Sequence, residues 1–203
     1  MTNTTTQSLL QIRRLAFLLF LLFISSNVSA AQISGVCFNE NYLDQGINMS
    51  LQGTGIKSLL FFKAFAAGFY KGQGDDSDLL GNYPKRIEVQ YFVSIPGEKL
   101  NNFTIDIMKN NVSPADLGSL KDEIRQMGKY FVDLKAGDRF SLTYIPSVGT
   151  EFAHNGKLVG IIKGSKFSKA LFSVWIGKKP FDSRLKEQVL GLNHHLVNRK
   201  GLT

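Results

Sequence analysis

The stretch GTGIKSLLFFKAFAAGFY, residues 53–70, sets the architecture of this chain. Gly53 and Gly55 let the backbone bend or come close to another group. Lys57 follows at once, and a long run with almost no charge comes after it. Residues 59–70 are apolar on both faces and rich in Phe, as a covered central strand is, although periodicity alone does not separate such a strand from a helix. The arrangement sets one cation at the mouth of an apolar layer. The plain reading of the same residues is a solvated lysine after a turn and a phenylalanine-rich core.

Working outward, Met49 and Leu51 alternate within residues 47–53 as in a half-buried strand. Residues 72–78 form a polar loop. Ile87, Val89, Tyr91 and Val93 alternate with Arg86, Glu88, Gln90 and Phe92, which predicts another strand. Leu100, Phe103 and Ile107 have helical spacing. Ser113, Pro114 and Asp116 make a helix start with a capping residue, a first-turn proline and a capping-box acid. Leu117, Leu120, Ile124, Met127 and Phe131 then predict one continuous helical stripe. Phe140, Leu142 and Tyr144 alternate again, and residues 146–149 turn. Asn155-Gly156 is a hairpin signal, because both central residues of that tight turn need positive φ. Ser165 is placed to cap a helix carrying Phe167, Leu171 and Val174, with Gly177 as its stop. Asp182 is placed to cap a last helix ending at Gly191. Strands, helices, strands and helices in that order, with hairpin links, predict an α+β fold: an antiparallel sheet with helices on one face.

Arg13 and Arg14, the apolar run Leu15 to Ile24, and Val28-Ser29-Ala30 have the form of a cleavable export signal over residues 1–30. The run is shorter than the roughly 20 residues that span a bilayer, and nothing later looks membrane-spanning. A retained short anchor is the alternative. Residues 31–193 then make one domain and 194–203 a frayed tail. The expected location is the periplasm or the outside. Loss of the leader lowers the formal charge from +8 to +6. The remaining cations are scattered, which argues against nucleic acid as a partner. Cys37 is the single cysteine, so no internal disulfide forms; a buried, inert thiol is the expected state. No dinucleotide loop, phosphate loop or calcium-loop pattern is complete. His154 stands at the predicted hairpin and His194 and His195 in the tail, which suits neither a metal site nor a catalytic triad. No cofactor is expected.

Three segments, GTGIK at 53–57, KAFAAGFY at 63–70 and KALFSVWIGKKPFDSRLKEQVLG at 169–191, resemble the chalcone isomerase-like family. The resemblance spans most of residues 47–191 and is most specific in the last segment. It implies an open-faced sandwich of a large antiparallel sheet and a layer of helices, with a ligand cleft between them. The family's enzymes close a chalcone into a flavanone and use a cation to steer and stabilise the anion, in a cleft where charge stabilisation is strong. Their arginine corresponds to Lys57, which keeps the charge but not the planar fork. Two of their hydroxyl positions correspond to Phe65 and Val174. The tyrosine and asparagine of their first long helix find no clear counterpart, with Met108, Asn110 and Asn111 only nearby. Other branches of the family bind fatty acids, with the cation on the carboxylate and apolar walls around the chain.

The leading expectation is therefore an exported protein that binds a small apolar anion, a fatty acid or a phenolic compound. Lys57, Phe61, Phe65 and Val174 are its candidate site, with Phe62 and Phe69 as further wall. One alternative is an isomerase of the intramolecular lyase type on a chalcone-like substrate, with Lys57 as electrostatic catalyst. The other is a non-catalytic scaffold whose cleft is filled by its own side chains.

Overall fold

The computed structural model describes residues 30–75 and 77–192. The expected leader, as far as residue 29, and the expected tail at 194–203 lie outside the described residues. Seven strands form one antiparallel sheet whose spatial order follows the chain. They are β3 (Asn41–Asp44), β4 (Ile47–Leu59), β5 (Phe62–Lys71), β6 (Lys85–Tyr91), β7 (Arg139–Ile145), β8 (Gly149–His154) and β9 (Lys157–Ile162). β1 (Ala30–Ile33) and β2 (Val36–Asn39) pair as a separate hairpin. α1 (Gly97–Asn111), α2 (Pro114–Ser119) and α3 (Lys121–Tyr130) lie between β6 and β7, and α4 (Ser165–Ile176) and α5 (Ser183–Val189) follow β9.

Alternation sorts the two faces. Ala67, Phe69, Ile87, Val89, Phe140 and Leu142 join the helices in the main core, together with Met108, Met127, Leu171 and Phe172. The other face carries Ala66, covered by Val36 and Phe38 of the β1–β2 hairpin, and a polar network. There Glu88 accepts from Arg86 Nη2 at 2.9 Å and also from Arg139 Nη1, while Arg139 Nη2 donates to the Cys37 carbonyl at 2.8 Å. Paired guanidiniums and a carboxylate thus tie the hairpin to the sheet. Val36 and Phe38 point inward, so alternation turns Cys37 outward. The thiol is exposed, against the expectation of a buried one.

The turns follow local chemistry. Asn155 (φ 48°) and Gly156 (φ 77°) both take the left-handed region, as expected. Ser34-Gly35 and Gln45-Gly46 do the same and make hairpins that the apolar pattern alone did not reveal. Ser113 Oγ accepts from Asp116 N at 3.1 Å, as its position predicts. The single stripe from Leu117 to Phe131 is split into two helices at Leu120, whose φ and ψ are −107° and 17°. Gly118 is a weak helix former, and Leu120 N closes a tight turn onto Leu117 O at 3.1 Å. Ser165 is the first residue of its helix and not its cap; Gly164, at φ 100°, holds the cap position.

Lys85 is fully buried beneath α4, with its ammonium 4.2 Å from the Tyr83 ring centroid and donating to the Gly81 carbonyl. Burial pulls its pKa down to about 8, more than Asp78 raises it. Between that value and the ordinary lysine range the unfolded chain holds a proton that the folded chain has released. Raising the pH across that window therefore stabilises the fold. The unfolding free energy should rise by about 1–2 kcal/mol from pH 8 to 9.5, measured by urea titration. In Lys85→Met that rise should vanish.

Candidate functional site

Gly53 and Gly55 do not turn the chain. They lie within β4, and both are places where another element comes against bare backbone. A Cβ at Gly53 would stand 2.4 Å from Gln188 O, and one at Gly55 would stand 2.6 Å from Leu185 Cδ1. The two glycines thus let α5 lie directly on β4, an arrangement tied by Ile56 N donating to Gln188 Oε1 at 3.3 Å. That contact fixes where α5 begins. Its N-cap is Asp182, whose Oδ1 accepts from Leu185 N at 2.9 Å and whose Oδ2 accepts from Lys57 Nζ at 2.6 Å. Burial pushes the Asp182 carboxyl up, but the Lys57 ammonium and the amides of Leu185 and Arg184 outweigh it and hold it below its usual range. The pair is part-exposed, at 25% for the Lys57 side chain and 20% for that of Asp182.

Lys57 pairs in register with Phe65 on β5, and Phe65 with Tyr91 on β6. These three side chains make a row across the helix-facing side of the sheet. They line a cavity of about 380 Å³ between sheet and helices, along with Val174 and Trp175 of α4, Phe103 of α1, and Phe181. The walls are hydrocarbon almost throughout. Phe65, Trp175, Phe181 and Phe103 form an aromatic chain, with ring centroids 6.0 Å, 5.0 Å and 5.6 Å apart in that order. Polar side-chain groups among the lining residues belong to Lys57, Thr104, Tyr91 and Trp175. Thr104 Oγ1 already donates to the Leu100 carbonyl at 2.8 Å. Tyr91 is 5% exposed, and its hydroxyl has no hydrogen-bond partner among the described residues; burial pushes its pKa well above the ordinary tyrosine value.

The structure brings together three of the four candidate residues, Lys57, Phe65 and Val174. Phe61 is not among them. The chain reverses at Leu60-Phe61, so Phe61 stands fully exposed at the hairpin tip. Phe62 is half-exposed beside it, and Phe69 is sealed in the core. Asn111 does not line the cavity: its Nδ2 donates to the Lys179 carbonyl at 2.7 Å and clamps the α4–α5 link to α1. Trp175, Tyr91 and Phe181, which the sequence reading left out of the site, also line the cavity. Asp182 was legible only as a helix cap. The signal for its second role was the Gly-x-Gly step, once that step is read as a close approach. Among the described residues no cluster of His, Cys, Asp and Glu is close enough to hold a metal ion, and no helix is long and apolar enough to cross a membrane.

Comparison with known proteins agrees with this geometry. A search of curated proteins finds no significant sequence match. The fold is similar to the crystal structure of an Arabidopsis thaliana fatty-acid binding protein, with a TM-score of 0.64 at 18% identity, over 84% of this chain and 100% of that one. The chalcone isomerase-like family profile matches residues 30–191. The chain belongs to the chalcone isomerase-like family.

Proposed function

We propose that the protein binds one small, mostly apolar anion, with a fatty acid the leading candidate, in the cavity between sheet and helices. The observation that carries this reading is the 380 Å³ space itself, walled by hydrocarbon and lined at one place by Lys57, whose ammonium pairs with Asp182. Its size falls within the roughly 300–1,000 Å³ of small-molecule sites. Each methylene moved from water into such walls contributes about 0.8 kcal/mol. Asp182 engages one of the ammonium donors of Lys57, and the rest remain for a carboxylate at the mouth. The pair is neutral as a whole, so the tail supplies most of the affinity and the cation orients the head. A fatty acid is favoured over a phenolic compound because a protein of this fold is a fatty-acid binding protein. The positions of two hydroxyls in the family's enzymes hold Phe65 and Val174, both lining the cavity with hydrocarbon alone. That leaves the cavity suited to holding a guest more than to turning it over.

The proposal includes export, to the periplasm or beyond, and rests there on the leader pattern of residues 1–30. Native mass spectrometry of protein from the exported fraction should show the chain starting at Ala31 with an acid of low mass bound. Val174→Trp, which fills the cavity from α4, should remove that mass without unfolding the chain. An empty wild-type protein that also fails to take up added laurate would contradict the binding reading. A chain found intact in the cytoplasm would contradict export.

A further inference from the structure

Leu59-Leu60-Phe61-Phe62 forms the turn between β4 and β5, and these side chains are 46%, 91%, 101% and 51% exposed. The other large apolar side chains exposed among the described residues, Leu43, Phe103, Leu158 and Leu192, are not consecutive with one another. The tip also breaks the rule that the other tight turns keep. In Ser34-Gly35, Gln45-Gly46 and Asn155-Gly156 the left-handed pair is a polar residue followed by glycine, whereas here an apolar residue, Leu60, takes φ 51° and Phe61 follows it. A bulky side chain in the left-handed region is uncommon and costs backbone energy. Hydrocarbon is thus held at the outermost point of the hairpin where folding alone favours glycine or asparagine.

We propose that this tip inserts into the surface of a lipid bilayer that carries anionic headgroups. Three observations favour a bilayer over a protein partner. The tip is a tight turn, and its four side chains, at no more than about 150–250 Å² each and with Leu59 and Phe62 half-covered already, stay below the roughly 800 Å² that each partner gives to a standard protein interface. Lys63, exposed at its base, donates to the Ser34 hydroxyl at 2.8 Å and forms no salt bridge with a described residue, and the chain is formally +8, or +6 without residues 1–30. Apolar side chains with a lysine at their base suit the headgroup boundary. Leu59 belongs both to the tip and to the cavity lining. An inserted tip therefore brings the cavity mouth against hydrocarbon, so that an apolar chain passes between membrane and protein without crossing water. The inference extends the cavity reading, but vesicle binding tests it without any ligand.

The test uses the full chain with Cys37→Ser and an environment-sensitive fluorophore on Phe61→Cys. Vesicles of phosphatidylcholine with phosphatidylglycerol should shift its emission to the blue, and nitroxides on the acyl chains should quench it. The same dye on Ser147→Cys, in the turn between β7 and β8 at the opposite end of the sheet, should not respond, which separates tip insertion from any anchoring by residues 15–24. Adding Leu60→Asp should weaken the vesicle titration about tenfold or more. A silent tip label, or equal responses at both positions, would overturn the proposal. So would a blue shift without lipid accompanied by doubling of the mass, which would make a second copy the occupant. An equal response to pure phosphatidylcholine would overturn the choice of anionic headgroups.

Discussion

Gly53→Ala lowers the unfolding free energy by roughly 1–3 kcal/mol, the range for forced overpacking at a close contact. The atoms that a new Cβ would meet are backbone: Gln188 O at 2.4 Å and Gly191 N at 2.7 Å. No rotamer change relieves such a clash, so α5 must lift from β4. Lifting it exposes Leu185 and Val189, now 2% and 0% exposed. It also withdraws Asp182 from Lys57. Urea denaturation should show the loss as a lower midpoint at unchanged slope. Gly118→Ala supplies the contrast. That glycine lies in α2 with open space where its Cβ would be, so alanine there should be neutral or stabilise by up to about 1 kcal/mol. Equal effects of the two substitutions would refute the close approach as the reason for the Gly-x-Gly step.

Lys57→Ala and Asp182→Asn should move fatty-acid affinity in opposite directions. Removing the ammonium costs a charge-assisted contact of about 1.5–3 kcal/mol and leaves the Asp182 carboxylate facing the ligand's own. The dissociation constant should rise about tenfold to a hundredfold. Asp182→Asn keeps the helix cap, because asparagine serves as well at that position, and it frees the whole ammonium for the ligand. The constant should then fall several-fold, by about 1 kcal/mol or less for a part-exposed pair. Laurate measured by calorimetry supplies the acid, and methyl laurate supplies the same tail without the charge. Neither variant should change binding of the ester. Parallel shifts for acid and ester would mean that the pair shapes the cavity and does not hold the head.

The layer order was legible because period-two alternation is strong in β6 and β7, where Ile87, Val89, Phe140 and Leu142 all face the helices. Apolar residues on both faces of β5 likewise marked a strand covered on both sides. The β1–β2 hairpin escaped because its four-residue strands are too short to show a period, although Ser34-Gly35 carried a turn signal. The split at Leu120 escaped because an apolar stripe survives a tight turn that keeps the same side toward the core. Lys57, Phe65 and Val174 were found through a resemblance, and their convergence follows from register. Phe61 was misplaced because a run of apolar residues looks the same in sequence whether it is buried in a strand or exposed at a turn. The partner of Lys57 lies 125 positions away, a separation that periodicity does not bridge.

On the proposed binding, the hydroxyl of Tyr91 would make the chamber a judge of what enters it as well as a container. A guest of plain hydrocarbon at that depth leaves the O–H dry, at a cost of about 1–3 kcal/mol. An oxygen part-way along the guest turns that penalty into a bond. Between two acids of equal length, the protein would then prefer the oxidised one, and Tyr91→Phe would erase the distinction while leaving the capacity for grease intact.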